Sequence, residues 1–195
     1  MTVSSNLKPV NDFLVRLPKK FKDTFTMAGQ EFYLENKFRE FENRYCYGEV
    51  VGIPEKHDTP VKVGDTLYFH HHVVLDKRAE IEKDIYLVRY SVHGGHATQA
   101  YAYKRDGVIR LFSDWVFVHI EKKKEDKTSS GIILLPEAVK KNVATVAYDS
   151  DTLEHYGIAK GDTVVFARDA DYEMELDGET VYRMRIDDIL YVEKA

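Results

Sequence analysis

Two short stretches decide the fold: "VGDTLYF" (Val63–Phe69) and "KGDTVVF" (Lys160–Phe166) carry one pattern and stand 97 residues apart. Each sets a Gly-Asp pair before Thr and a run of β-branched and aromatic residues, the signature of a turn leading into a strand. A second matching pair, "NDFLV" (Asn11–Val15) and "SDWVF" (Ser113–Phe117), lies 102 residues apart. The five-residue difference between the offsets fits loops of unequal length between shared anchors. Between the anchors each copy holds a polar stretch and then a strand, "YGEVVGIP" in the first and "NVATVAYD" in the second. A period of about one hundred residues predicts a duplicated unit, with copies at residues 1–112 and 113–195. The seam near Leu111–Asp114 has no Pro, Gly or Ser linker. The last strand of copy one therefore runs almost directly into the first strand of copy two, as a rigid or semi-rigid pair.

Outward from these anchors the chain reads as strands. Thirteen Tyr and ten Phe, with many Val and Ile, favour extended structure. Short runs such as "DFLVRL", "GEVVGI", "DTLYFHHHVV", "IYLVRYSV", "DWVFVHI", "VYRMRI" and "ILYVEK" are separated by Gly94-Gly95, Asp106-Gly107, Gly161-Asp162 and Asp177-Gly178. No segment sustains a 3.6-residue apolar period. Leu34–Tyr45 comes nearest, as a short helix or a charged loop. The expectation is an all-β chain of barrel or sandwich type.

Composition narrows the function. A net charge of −5 argues against nucleic-acid binding, which usually carries a basic surplus. Lys122-Lys123-Lys124 is diluted by Glu121, Glu125 and Asp126 and reads as a solvated face. A lone cysteine, Cys46, fits a reducing compartment. No stretch approaches the ~20 apolar residues of a membrane helix, and "MTVSSNLKPV" lacks a signal-peptide core. The chain is expected to be cytosolic.

The second copy resembles a GroES-type co-chaperonin subunit. The matching elements run in order: "SDWVFVHIEKK", a polar loop ending in "SGIILLPE", "VATVAYD", "IAKGDTVVFA", and "YEMELDGETVYRMRIDDILYVEKA". The first copy is similar but weaker, through "LKPVNDFLVRL", "YGEVVGIP", "VKVGDTLYF" and a late hydrophobic hairpin. The resemblance implies two tandem GroES-like β-barrels, the first divergent, and a mobile loop at about 121–136. It implies partners: a GroEL-type chaperonin ring, an unfolded client inside its chamber, and further copies of the chain in a ring. No cofactor is implied, and neither nucleic acid nor membrane. Two departures stand out. Ser130 precedes Gly131 where the family usually has two glycines. The slots for the family's dome-roofing hairpin hold only "EKHDTP" and "SDTLEHYG", too short for a paired ribbon. A thin roof suits a bulky client, such as a phage-encoded form would serve in its bacterial host.

The segment "EKKKEDKTSSGIILLPEA" (Glu121–Ala138) sets ten hydrophilic residues before four aliphatics that Pro136 ends. A buried strand is the plain alternative, since short apolar runs are usually core. The polar flank, the proline and the resemblance favour an adhesive tip, with Gly131, Ile132, Ile133 and Leu134 binding the partner. Phe32, Tyr33 and Leu34 fill that slot in copy one. Burying three aliphatic side chains contributes about 1.5–3 kcal/mol each, while ordering a loop costs about 1–2 kcal/mol per residue. One loop therefore binds weakly, and useful affinity needs several on one scaffold.

His70-His71-His72, with His93 and His96 further on, raises a metal site. Strand alternation sets His70 and His72 on one face and His71 on the other. No carboxylate or thiolate partner is evident, so these read as ordinary strand histidines with no metal. No nucleophile elbow, P-loop or GxGxxG is present in the sequence, and the chain reads as a non-enzyme. The rival class is a structural or assembly protein, viral for example, that reuses the barrel without a chaperonin.

Overall fold

The structure, a computed structural model, describes residues 7–19, 24–27, 30–33, 44–90, 98–112, 115–120 and 142–194. The chain divides into two compact units, Met1–Arg110 and Leu111–Ala195. The first carries β1 (Phe13–Arg16), β2 (Thr24–Met27), β3 (Gln30–Tyr33), β4 (Tyr47–Gly52), β5 (Thr66–Phe69), β6 (Glu80–Glu82), β7 (Ile85–Val88), β8 (Ala100–Arg105) and β9 (Val108–Leu111). The second carries β10 (Trp115–His119), β11 (Val143–Val146), the short helix α1 (Asp151–His155), β12 (Thr163–Phe166), β13 (Tyr172–Leu176), β14 (Glu179–Arg185) and β15 (Ile189–Glu193). The fold is nearly all β, with antiparallel sheets and almost no helix.

The two main sheets share one strand order. The first runs β6-β7-β1-β4-β5-β8-β9 and the second β13-β14-β10-β11-β12-β15. Matched position by position they share the same crossovers, except that β9 has no counterpart among the described residues of the second sheet. The registers agree too: Phe13 faces Val88 and Trp115 faces Arg185, so both pairs keep the offsets seen in the sequence.

Side-chain alternation explains the second unit's core. Val116 and Val118, Ala144 and Val146, Val164 and Phe166, Tyr182 and Met184 are every-other residues of four neighbouring strands, and all join one buried cluster. Period two puts them on a single face of the sheet. Leu153 of α1 and Ile158 complete it. The helix sits where "SDTLEHYG" was read as a shortened loop. It is capped by Ser150, whose hydroxyl accepts from the Leu153 amide at 3.2 Å, a side-chain cap of the favoured kind. Strict alternation fails in the central strands: Phe13, Leu14 and Val15 of β1 and Trp115 to Val118 of β10 are buried consecutively. These strands are covered on both faces, whereas β6 and β9 at the first sheet's edges stay largely exposed.

The Gly-Asp corner recurs almost atom for atom. Gly64 and Gly161 have φ of 95° and 93°, a region L side chains rarely adopt. The Gly64 amide donates to Val50 O and the Val50 amide to Asp65 O, at 2.8 Å each. The Gly161 amide donates to Val146 O and the Val146 amide to Asp162 O, both at 2.9 Å. The Asp65 carboxylate accepts from the Lys62 amide at 2.7 Å, and that of Asp162 from the Ala159 amide at 2.9 Å. Each buried carboxylate also meets a cation from later in its unit, Arg105 at the end of β8 and Lys194 just past β15. Arg105 Nε and Nη2 reach Asp65 at 2.9 and 2.6 Å, and Lys194 Nζ reaches Asp162 at 2.7 Å. Even the second contact is shared: Arg105 donates to Pro60 O and Lys194 to Gly157 O.

A pH prediction arises at this corner. The Arg105 guanidinium, hydrogen-bonded to Asp65, holds its carboxyl below the ordinary value; burial opposes the shift and the Lys62 amide adds to it. A carboxyl depressed in the folded state stabilises above its unfolded pKa of about 3.9 and loses that contribution as pH falls through the folded value. Asp65→Asn is therefore expected to lower the melting temperature at pH 7, with the gap to wild type closing progressively below pH ~4. Melts across that range check it. A gap that stays constant to the acid limit contradicts it.

Two readings are corrected. The run "DTLYFHHHVV" is not one strand: β5 stops at Phe69, and His71–Leu75 form a 3-10 turn. Val73 and Val74 are buried by that turn, so apolar content alone made it look like strand. In the Leu34–Tyr45 segment, residues 34–43 lie outside the described residues, as do residues 121–141.

Candidate functional site

Between β1 and β4 the chain makes a two-stranded sheet of its own, β2 with β3. Pairing runs from Met27 with Gln30 to Thr24 with Tyr33. The sequence "TFTM-AG-QEFY" carries the signal, alternation broken by a two-residue gap containing Gly, which the reading as a plain loop tip missed. Phe32 and Tyr33 are adjacent and so project from opposite faces. Both are exposed, by 37% and 88%. An isolated hairpin is marginal in water, and this one holds Tyr33 almost fully out in solvent. Leu34 lies outside the described residues, as do Gly131, Ile132, Ile133 and Leu134. Those four belong to the connection between β10 and β11, the same topological slot that β2 and β3 occupy between β1 and β4.

The three histidines are brought together. Their rings lie 4.3–4.4 Å apart, centre to centre. His71 is buried, His70 half-buried and His72 exposed. The expected split between two faces is overturned because a 3-10 turn, not a strand, follows His70. His93 and His96 lie outside the described residues.

Other perturbed groups have structural causes. Burial, then its hydrogen bond to Glu179, pushes the Tyr148 phenol up to about 12. The same Glu179 carboxylate lies 3.5 Å from His119 Nε2. This cluster is surface-exposed, and it ties β10, β14 and the segment after β11 together. Among the described residues, no helix is long and apolar enough to cross a membrane.

Residues 108–193, essentially the second unit, match the family described as the chaperonin 10 Kd subunit. The co-chaperonin GroES of Campylobacter concisus is 35% identical over 77 residues, covering 40% of this chain and 90% of that protein. The GroES of Campylobacter curvus is 34% identical over the same length and shares. This is not an enzyme family. With about a third of the positions identical over nine-tenths of each relative, the chain belongs to the GroES co-chaperonin family.

Proposed function

We propose that this chain is a tandem co-chaperonin: two GroES-like barrels that cap a GroEL-type chaperonin ring and close its chamber over an unfolded client during ATP-driven folding. One observation carries the reading beyond family membership. The first unit repeats the second unit's strand order and its Gly-Asp corner, and in sequence both place a further segment between the same two strands. In the second unit that segment contains Ile132–Leu134; in the first it is the hairpin bearing Phe32 and Tyr33.

The energetics call for several copies. A few aliphatic side chains barely offset the ordering of one loop, so capping depends on loops presented together by a closed homo-oligomer. Intact chains assembled as a ring, each lending one barrel to a tier, satisfy this with one repeated interface. The ATPase belongs to the partner, and the setting is a bacterial cytoplasm, including that of a phage host.

ATP-dependent co-sedimentation with a bacterial chaperonin ring tests the proposal. The chain is expected to pellet with the ring in the presence of ATP and to stay in the supernatant without it. A chain that never pellets, and instead forms its own assemblies, supports the rival reading as a structural protein.

A further inference from the structure

We propose that His70, His71 and His72 form a binding site for a first-row divalent transition-metal ion of the zinc, nickel or copper kind. The site is independent of the chaperonin-binding segments. It is built by the turn. The His70 amide donates to Gln99 O at 2.9 Å, which fixes His70 to the end of β8's approach. The Val73 amide then donates to His70 O at 3.0 Å, and the Asp76 amide to His72 O at 3.1 Å. With Val73 and Val74 fully buried beneath it, the turn is anchored, and three consecutive imidazoles converge where a strand would have splayed them.

One ligating nitrogen can be chosen from each ring so that all lie within 4.8 Å of one another. Tetrahedral coordination at ~2.0–2.1 Å places such nitrogens about 3.4 Å apart. The exposed His72 ring is the freest of the three to move toward that spacing. Imidazole suits zinc, copper and nickel, and three nitrogens leave one position for water. A hydrogen bond within the turn competes with the metal. His70 Nδ1 accepts from the His72 amide at 3.1 Å, so the neutral ring carries its proton on Nε2. Coordination through either nitrogen ends that bond, and metal replaces the cap as the brace of the turn.

Adjacent histidines bind metal in an unfolded chain as well, so the test has to separate a folded site from a sticky sequence. The intact chain is titrated with zinc chloride alone, following stoichiometry by calorimetry and stability by thermal melts. About one equivalent per chain is expected, with a melting temperature that climbs with zinc, because only preferential binding to the folded state stabilises. His72→Ala, at an exposed position, should weaken binding about tenfold or more and remove the thermal shift. His70→Gln should do the same, and His155→Ala, in the other unit, should change neither. No thermal shift, an unchanged shift in both triplet variants, or equal affinity for the chain in urea would each overturn the site.

Discussion

Ile133→Asp is expected to abolish ATP-dependent retention on a chaperonin ring while moving the melting temperature by no more than about 3 °C, the scale of a surface substitution in a small domain. The loss comes from desolvation. A carboxylate pressed into an apolar groove without a partner costs about 3 kcal/mol even on conservative scales, or roughly a hundredfold per contact. Loops that bind as a set multiply the penalty, because each later contact depends on the earlier ones. Tyr33→Asp is the parallel change in the first unit. Tyr33 is 88% exposed, so stability should again hold, and a smaller binding loss is expected. A steep fall in melting temperature for Ile133→Asp would place that residue in a core and sink the adhesive-tip reading.

The second large effect lies in β4. Gly48→Val is expected to destabilise the first unit by about 3 kcal/mol or more, and Gly48→Ala by a large part of that. A Cβ at Gly48 would stand 2.5 Å from Arg16 O and 2.7 Å from Val15 Cγ1. The first of these is backbone of the paired β1 and cannot rotate away. The β1–β4 register also shifts between Leu14 and Val15, further along the same pair of strands. The equivalent position in the second unit is Ala144, which faces Val164 as Gly48 faces Leu67. Ala144→Gly should cost about 1–2 kcal/mol, from backbone entropy and the loss of a buried methyl. Urea titrations of the three variants check the contrast. A neutral Gly48→Ala would mean that β1 and β4 do not approach this closely.

What could be read from the residues follows from how local each signal is. The Gly-Asp corners were legible because a positive φ, an amide-capping aspartate and the strand after it are all set within six residues. Their cations were not: Arg105 and Lys194 lie 40 and 32 residues away, and nothing near either marks its partner. The hairpin of "AYAYKR" and "VIRL" was legible only through its Asp106-Gly107 turn and hydrophobic content, because β8 is buried at four successive positions and shows no alternation. The histidine triplet was misjudged for the opposite reason. Valines after it looked like more strand, when their burial is what bends the chain. The candidate partner-binding residues rested on flanking charge, Pro136 and the family resemblance. Only Phe32 and Tyr33 of that set lie among the described residues.

The extra strand β9 makes the duplication unequal. In the second sheet the terminal strand β15 is an edge, with Leu190 and Tyr191 exposed by 63% and 56%. In the first, the corresponding strand β8 is shielded by β9, whose Asp106-Gly107 turn has both φ positive, as a tight hairpin requires. An open edge invites another strand, and a covered one refuses it. The halves are therefore alike in fold but not interchangeable in sociability. The β9 hairpin moves the first sheet's edge one strand outward, so an incoming strand would meet β9 on one unit and β15 on the other, two different templates for the same neighbour.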